Sequence, residues 1–256
     1  MIDPFRVGLG LTVGRWFGDE SLHGIEGSFF VLPESTRTFD SFAPRTVVVF
    51  PDGSSRSAPV LIRLPNAFAG VGTTFTTTVS SWFAGADVNY RVGLLIGNSA
   101  RLDLLAGYRF AYLQDSVYLG DRPEPDHDQT RWNRLSTDNT FHGGQLGLSG
   151  DYRTDTWYAE GSVKIAYGAV TTNTTATGAF LYSHPVPQLG SNTQDAVLPT
   201  LNVRLGYRVG ARGKAFVGYS FQYLSHVNRL GDAFCSGVME DDFWVQSLNL
   251  GFEWRF

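Results

Sequence analysis

At 256 residues, the chain suits one barrel-sized domain. Its charged fraction of 17% falls below the roughly 25% usual in soluble domains, yet mean hydropathy is only -0.10 despite 14% aromatics. A net charge of -4 disfavours nucleic acid or an anionic surface as partner, the lone Cys235 excludes an internal disulfide, and no run of 18 apolar residues offers a transmembrane helix.

Low charge without overall hydrophobicity is what a membrane barrel produces, because each strand turns one face to lipid and the other to the lumen. The competing reading is a soluble all-β sandwich or lipocalin-like barrel. Nine segments alternate. The first, 5–17, sets Phe5, Val7, Leu9, Leu11 and Val13 against Arg6, Gly8, Gly10 and Thr12. The second, 23–32, puts Ile25, Phe29 and Val31 outward and Glu26 and Ser28 inward. The third, about 78–95, turns Trp82, Ala84, Ala86, Val88 and Tyr90 to lipid and Gly85, Asp87, Asn89 and Arg91 inward. The fourth, 101–114, has Leu102, Leu104, Ala106, Tyr108, Phe110 and Tyr112 outside, with Asp103, Gly107 and Arg109 inside. The fifth, 140–153, has Leu146, Leu148 and Tyr152 against Gln145, Ser149, Asp151 and Arg153.

The sixth, 156–170, sets Trp157, Ala159, Val163, Ile165 and Tyr167 against Glu160, Ser162 and Lys164. The seventh, 198–210, sets Leu201, Val203, Leu205, Tyr207 and Val209 against Asn202, Arg204 and Arg208. The eighth, 214–227, has Val217, Tyr219, Phe221 and Tyr223 against Gly218, Ser220 and Gln222. The ninth, 242–256, carries apolar residues at 248, 250, 252, 254 and 256, opposite Glu253 and Arg255. A soluble edge strand built that way would aggregate. Its aromatic finish, Phe252, Trp254 and Phe256, suits an insertion signal for barrel-assembly machinery.

Short turns at 18–21, 97–99, 154–155 and 211–213 alternate with long polar stretches at about 33–77, 115–139, 171–197 and 228–241. Outer-membrane barrels have short periplasmic turns and long outer loops, which orients every strand. Val47-Val48-Val49-Phe50 and Leu61-Ile62-Arg63-Leu64, separated by Pro51-Asp52-Gly53, predict an outer hairpin in the first loop, with a contribution to the wall as the lesser alternative. Nine strands leave an odd count and an amino terminus outside the cell; one upward strand before Phe5 would repair both. Met1-Ile2-Asp3-Pro4 has no leader character, so an exported protein needs a leader removed or missing upstream.

The segments Gly24-Ile25-Glu26-Gly27-Ser28-Phe29-Phe30, 101–109, 141–148, Phe216-Val217-Gly218-Tyr219 and Phe243-Trp244-Val245-Gln246 resemble a family of β-barrel porins, the porin-seven type. The resemblance implies an outer-membrane barrel, with "porin" a fold-level label, and offers no catalytic motif. Members of that family look as if a Trp-rich strand precedes the one beginning here at Phe5.

The expected fold is therefore all-β: a transmembrane antiparallel up-and-down barrel in one domain, 1–256, with nine strands visible and ten expected in the intact protein. Arg6, Glu26, Asp87, Arg91, Asp103, Arg109, Asp151, Arg153, Glu160, Lys164, Arg204, Arg208, Glu253 and Arg255 form the expected pore lining. Interspersed opposite charges suit either a selective narrow pore or a salt-bridged interior that fills a small barrel. Trp16, Trp82, Tyr90, Tyr112, Tyr152, Trp157, Tyr207, Tyr223, Trp244 and Trp254 fall near strand ends as interfacial girdles. Asp126-His127-Asp128 resembles a rim catalytic string but sits in a Pro-rich solvated loop, and no Ser, His and acid arrangement emerges. No enzyme, cofactor or metal site is expected. The expected partners are outer-membrane lipid, the assembly machinery and small solutes. Porin-like passive passage is the primary expectation, and a non-conducting structural or adhesion barrel acting through its outer loops is the alternative.

Overall fold

A computed structural model describes residues 7–18, 22–49, 55–59, 68–121, 132–178, 190–209, 213–230 and 239–254. It is an all-β, antiparallel curled sheet: β1 (Leu9–Phe17), β2 (His23–Val49), β3 (Ser55–Pro59), β4 (Phe68–Ile96), β5 (Ala100–Asp121), β6 (Trp132–Arg153), β7 (Trp157–Gly178), β8 (Gly190–Val209), β9 (Gly213–Arg229) and β10 (Met239–Trp254). Nine strands follow one another in chain order, and β3 pairs with the far end of β2. The hairpin expected around Pro51-Asp52-Gly53 thus has 45–49 as its first arm and 55–59 as its second. Leu61 to Leu64 lie outside the described residues.

The inward and outward sets follow the sequence parity. Val163, Ile165 and Tyr167 are more than half exposed, while Lys164 and Ala166 between them are buried. Leu146, Leu205, Leu248 and Leu250 repeat that exposure on other strands. So large a greasy outer face would be an aggregation surface in water; against acyl chains it is the stable arrangement.

The strands run well past the segments in which alternation is visible. β2 has 27 residues and β4 has 29, against about 9–11 needed to cross the membrane. At about 3.3 Å per residue these reach some 90 Å. They continue through much of the stretch that the pattern leaves as the loop 33–77, and β5 to β8 similarly enter 115–139 and 171–197. Above the membrane, water replaces lipid outside, so Thr and Ser replace the apolar outward residues and the period-two signal fades. Cross-strand hydroxyl pairs hold this part: Thr38 with Thr78 at 3.2 Å, and Thr171 with Thr193 at 3.1 Å.

The two edges of the sheet run in the same direction, because β1 and β10 are first and ninth on an antiparallel path. They cannot close on each other antiparallel, and among the described residues no ladder joins them.

Close strand approach depends on glycine at one level of the wall. Gly143 and Gly168 are direct partners, and a Cβ on Gly168 would lie 1.9 Å from the His142 carbonyl oxygen and 2.4 Å from the Gly143 Cα. Backbone atoms cannot swing aside as a side chain can. Gly168→Ala is therefore expected to lower stability by about 1–3 kcal/mol, the usual cost of overpacking. The urea midpoint of the refolded protein in detergent micelles checks this.

Candidate functional site

The lumen is filled in successive layers. The lowest, toward the short turns, is charged. Arg91 on β4 contacts Glu26 on β2 and reaches Asp103 on β5 at 2.8 Å. Asp103 also accepts from Arg101 at 2.7 Å. One level up, Asp87 is clasped by Arg109 at 2.5 Å and by Lys164 at 3.2 Å, and accepts from Ser28 at 2.7 Å. Arg109 donates to Gln222 on β9 at 2.6 Å, which ties opposite walls together. Asn89 donates to Asp87 at 2.6 Å and accepts from Gln145 at 2.5 Å. Asp87, Asp103 and Arg109 are all buried. Alternation explains the arrangement: each group sits at an inward position of a neighbouring strand, and a small curled sheet brings those positions within side-chain reach.

The middle layer is apolar. Phe83, Leu113, Phe141, Leu198 and Leu224 come from five strands and are each at most 1% exposed. Phe83 packs tilted on Phe30 at 5.1 Å and edge-on against Phe243 at 4.8 Å. Since Phe30 is on β2 and Phe243 on β10, the layer crosses the lumen.

Above it lies a polar belt. Asp115 on β5 pairs with Arg229 on β9 at 2.5 Å, and Asn139 on β6 both donates to the Asn228 carbonyl at 3.0 Å and accepts from its amide at 2.8 Å. The Asp115 Oδ1, Thr137 and Thr174 oxygens are buried without a protein partner, on positions adjacent in register. Val117, Leu135 and Leu230 form a second apolar cluster above.

Of the expected pore-lining residues, Glu26, Asp87, Arg91, Asp103, Arg109 and Lys164 converge in the lower network. Asp151 and Arg153 pair at 2.7 Å nearer the rim, and Glu160 and Arg204 stand 3.9 Å apart. Arg208 is exposed at the short-turn rim. Arg6, Arg255, Phe256 and Asp126-His127-Asp128 lie outside the described residues, as does the side chain of Glu253. Phe252 and Trp254 face outward, about half exposed, with ring centres 6.0 Å apart. Among the described residues no cluster of three or more His, Cys, Asp or Glu suits a metal ion.

Trp16 departs from the girdle reading. Its ring lies 3.5 Å from the Arg101 guanidinium carbon and 5.1 Å from that of Arg91, so it is a cation–π partner of the charged layer. Its even number places it on the same face of β1 as Thr12, which is the lumen face. Arg101, Asp115, Arg229 and the apolar plug lie outside the expected pore lining. The signal for the plug was present: Phe83, Leu113 and Phe141 are apolar residues at inward parity.

Removing the upper ion pair gives a direct test of the belt. Arg229→Ala leaves Asp115 buried opposite nothing cationic and is expected to destabilise the fold by about 3 kcal/mol or more. Arg229→Lys should recover part of that loss in the same urea titration.

The family model described as "Putative beta barrel porin-7" matches residues 2–238. Among solved structures, the chain is similar to the outer membrane protease OmpT from Escherichia coli, with 14% identity, 98% of this chain and 94% of that chain covered, and a TM-score of 0.51. Identity at that level carries the fold alone. The search of the curated proteins finds no match.

Proposed function

From the premise that the chain belongs to the beta barrel porin-7 family, as an outer-membrane β-barrel protein, we propose that its lumen is held shut and that it acts in the bacterial outer membrane through its tall outer wall and loops. One observation carries this reading: the apolar layer of Phe83, Leu113, Phe141, Leu198 and Leu224 spans the lumen with essentially no exposed surface. A dry constriction of this kind stops ions and water by dewetting. The charges below it are spent on one another, so they offer a passing solute little free field. Passive passage of small solutes, which the family name and the charged lumen suggest, requires this layer to part.

The reading assigns no catalytic role and needs no cofactor. Its partners are the surrounding lipid, the assembly machinery that meets Phe252 and Trp254, and whatever the extended outer strands present themselves to. Purified, refolded protein in planar bilayers should show no conductance steps above background. Regular steps from the unmodified protein would overturn the proposal in favour of passive transport.

A further inference from the structure

Where β7, β8 and β9 meet the short turns, two features adjoin. On the outer wall, Trp157, Leu205, Tyr207, Ala215 and Val217 line an apolar groove. Trp157 also borders a recess at the rim, and three cations line it: Arg153, Arg208 and Lys214. Arg208 and Lys214 are direct cross-strand partners. Like charges placed so repel, and the arrangement is costly unless an anion sits with them.

Among the described residues, two of these three cations are already engaged. Asp151 holds Arg153 at 2.7 Å. Lys214 is 8% exposed and keeps its ammonium 4.1 Å above the Tyr158 ring. Arg208 is exposed, and among the described residues it has no ion-pair partner. Its backbone N–H donates to the Thr156 carbonyl at 2.8 Å, which fixes it beside the turn. The preceding residue, Tyr207, already faces the groove. A long guanidinium side chain at the end of the wall can reach headgroups around the rim.

We propose that this rim binds one anionic glycerophospholipid of the periplasmic leaflet. The phosphodiester sits at the exposed Arg208, with the buried Lys214 behind it, and an acyl chain lies along the Trp157, Leu205 and Val217 groove. Arg208, without an ion-pair partner among the described residues, suits one phosphodiester charge, and the adjoining greasy channel selects a lipid over a free phosphate. The proposal rests on the membrane placement of the barrel and not on whether the lumen conducts, so it stands or falls apart from the bilayer recordings.

The test is native mass spectrometry of the full chain in mild detergent, after incubation with equal amounts of phosphatidylglycerol and phosphatidylcholine of identical acyl chains. A basic residue at a membrane surface contributes about 1 kcal/mol toward an anionic lipid, or roughly fivefold in occupancy. The expected result is about a fivefold preference for phosphatidylglycerol. It should fall to near parity in Arg208→Gln, whose exposed side chain leaves folding intact. Ala215→Trp should fill the groove and reduce retention of both lipids, with heat-dependent gel migration confirming the fold. Glycerol phosphate, which lacks chains, should not compete at millimolar concentration. Equal retention of the two lipids by the unmodified protein, a preference that survives Arg208→Gln, unchanged retention in folded Ala215→Trp, or displacement by glycerol phosphate would each overturn the proposal.

Discussion

Replacing Phe83, Phe141 and Leu224 together by Ser will turn a silent barrel into one that passes discrete current steps. These three side chains come from β4, β6 and β9, so the change removes apolar bulk from well-separated parts of the wall at one level. Ser is the informative choice. Truncation to Ala would leave a greasy cavity, and such cavities stay dry. A hydroxyl on each side supplies the hydrogen bonds that let water enter and remain. The variant will be less stable, since losing a buried Phe alone costs about 3–5 kcal/mol. The interstrand ladders are untouched, so the recordings should be made on protein whose gel migration shows it folded. A folded triple variant with no conductance would mean that something other than this layer closes the lumen.

Asp87→Leu should produce the largest loss of stability of any single change in the lower lumen. Asp87 receives Arg109, Lys164, Ser28 and Asn89 at once and is almost wholly buried. Removing it takes away the carboxylate that pairs with Arg109 and leaves Lys164 only its longer contact to Glu26 at 3.9 Å, and breaking a buried pair costs about 3–5 kcal/mol. The remedy is to remove the cations too. Asp87→Leu combined with Arg109→Leu and Lys164→Met should regain most of the loss, because well-packed apolar side chains replace buried ion pairs at little cost. Unfolding by urea, followed by Trp fluorescence in lipid vesicles, separates the two variants. A single variant as stable as the parent would show that these charges are solvated and the layer is not dry.

The wall was legible in the sequence where lipid and lumen differ in polarity. Residues 101–109 and 157–167 alternate, and the structure turns Asp103, Arg109 and Lys164 inward as that parity requires. Two features escaped for physical reasons. Where the interior is also apolar, as at Trp82-Phe83-Ala84 and Tyr112-Leu113, both faces are greasy and alternation fades, which leaves only the inward parity of Phe83 and Leu113 as a sign of the plug. Where the exterior is also wet, both faces turn polar, and a Thr-rich strand such as 171–175 looks like a loop. Arg229 reaching Asp115 across the lumen depends on how tightly the sheet curls, which no local pattern records. The bond of Arg109 to Gln222 is invisible for the same reason.

The ladder joining β2 to β4 continues from the membrane level out to the pairing of Val47 with Phe68. Neighbouring surface positions on that part of the molecule are therefore contributed by stretches some 20 to 60 residues apart in the chain. An antiserum raised against a linear peptide from either stretch would meet its target zipped to another strand, with backbone groups already engaged. Immune recognition of intact cells should accordingly favour antibodies selected on the refolded protein, and boiling the antigen should abolish their binding.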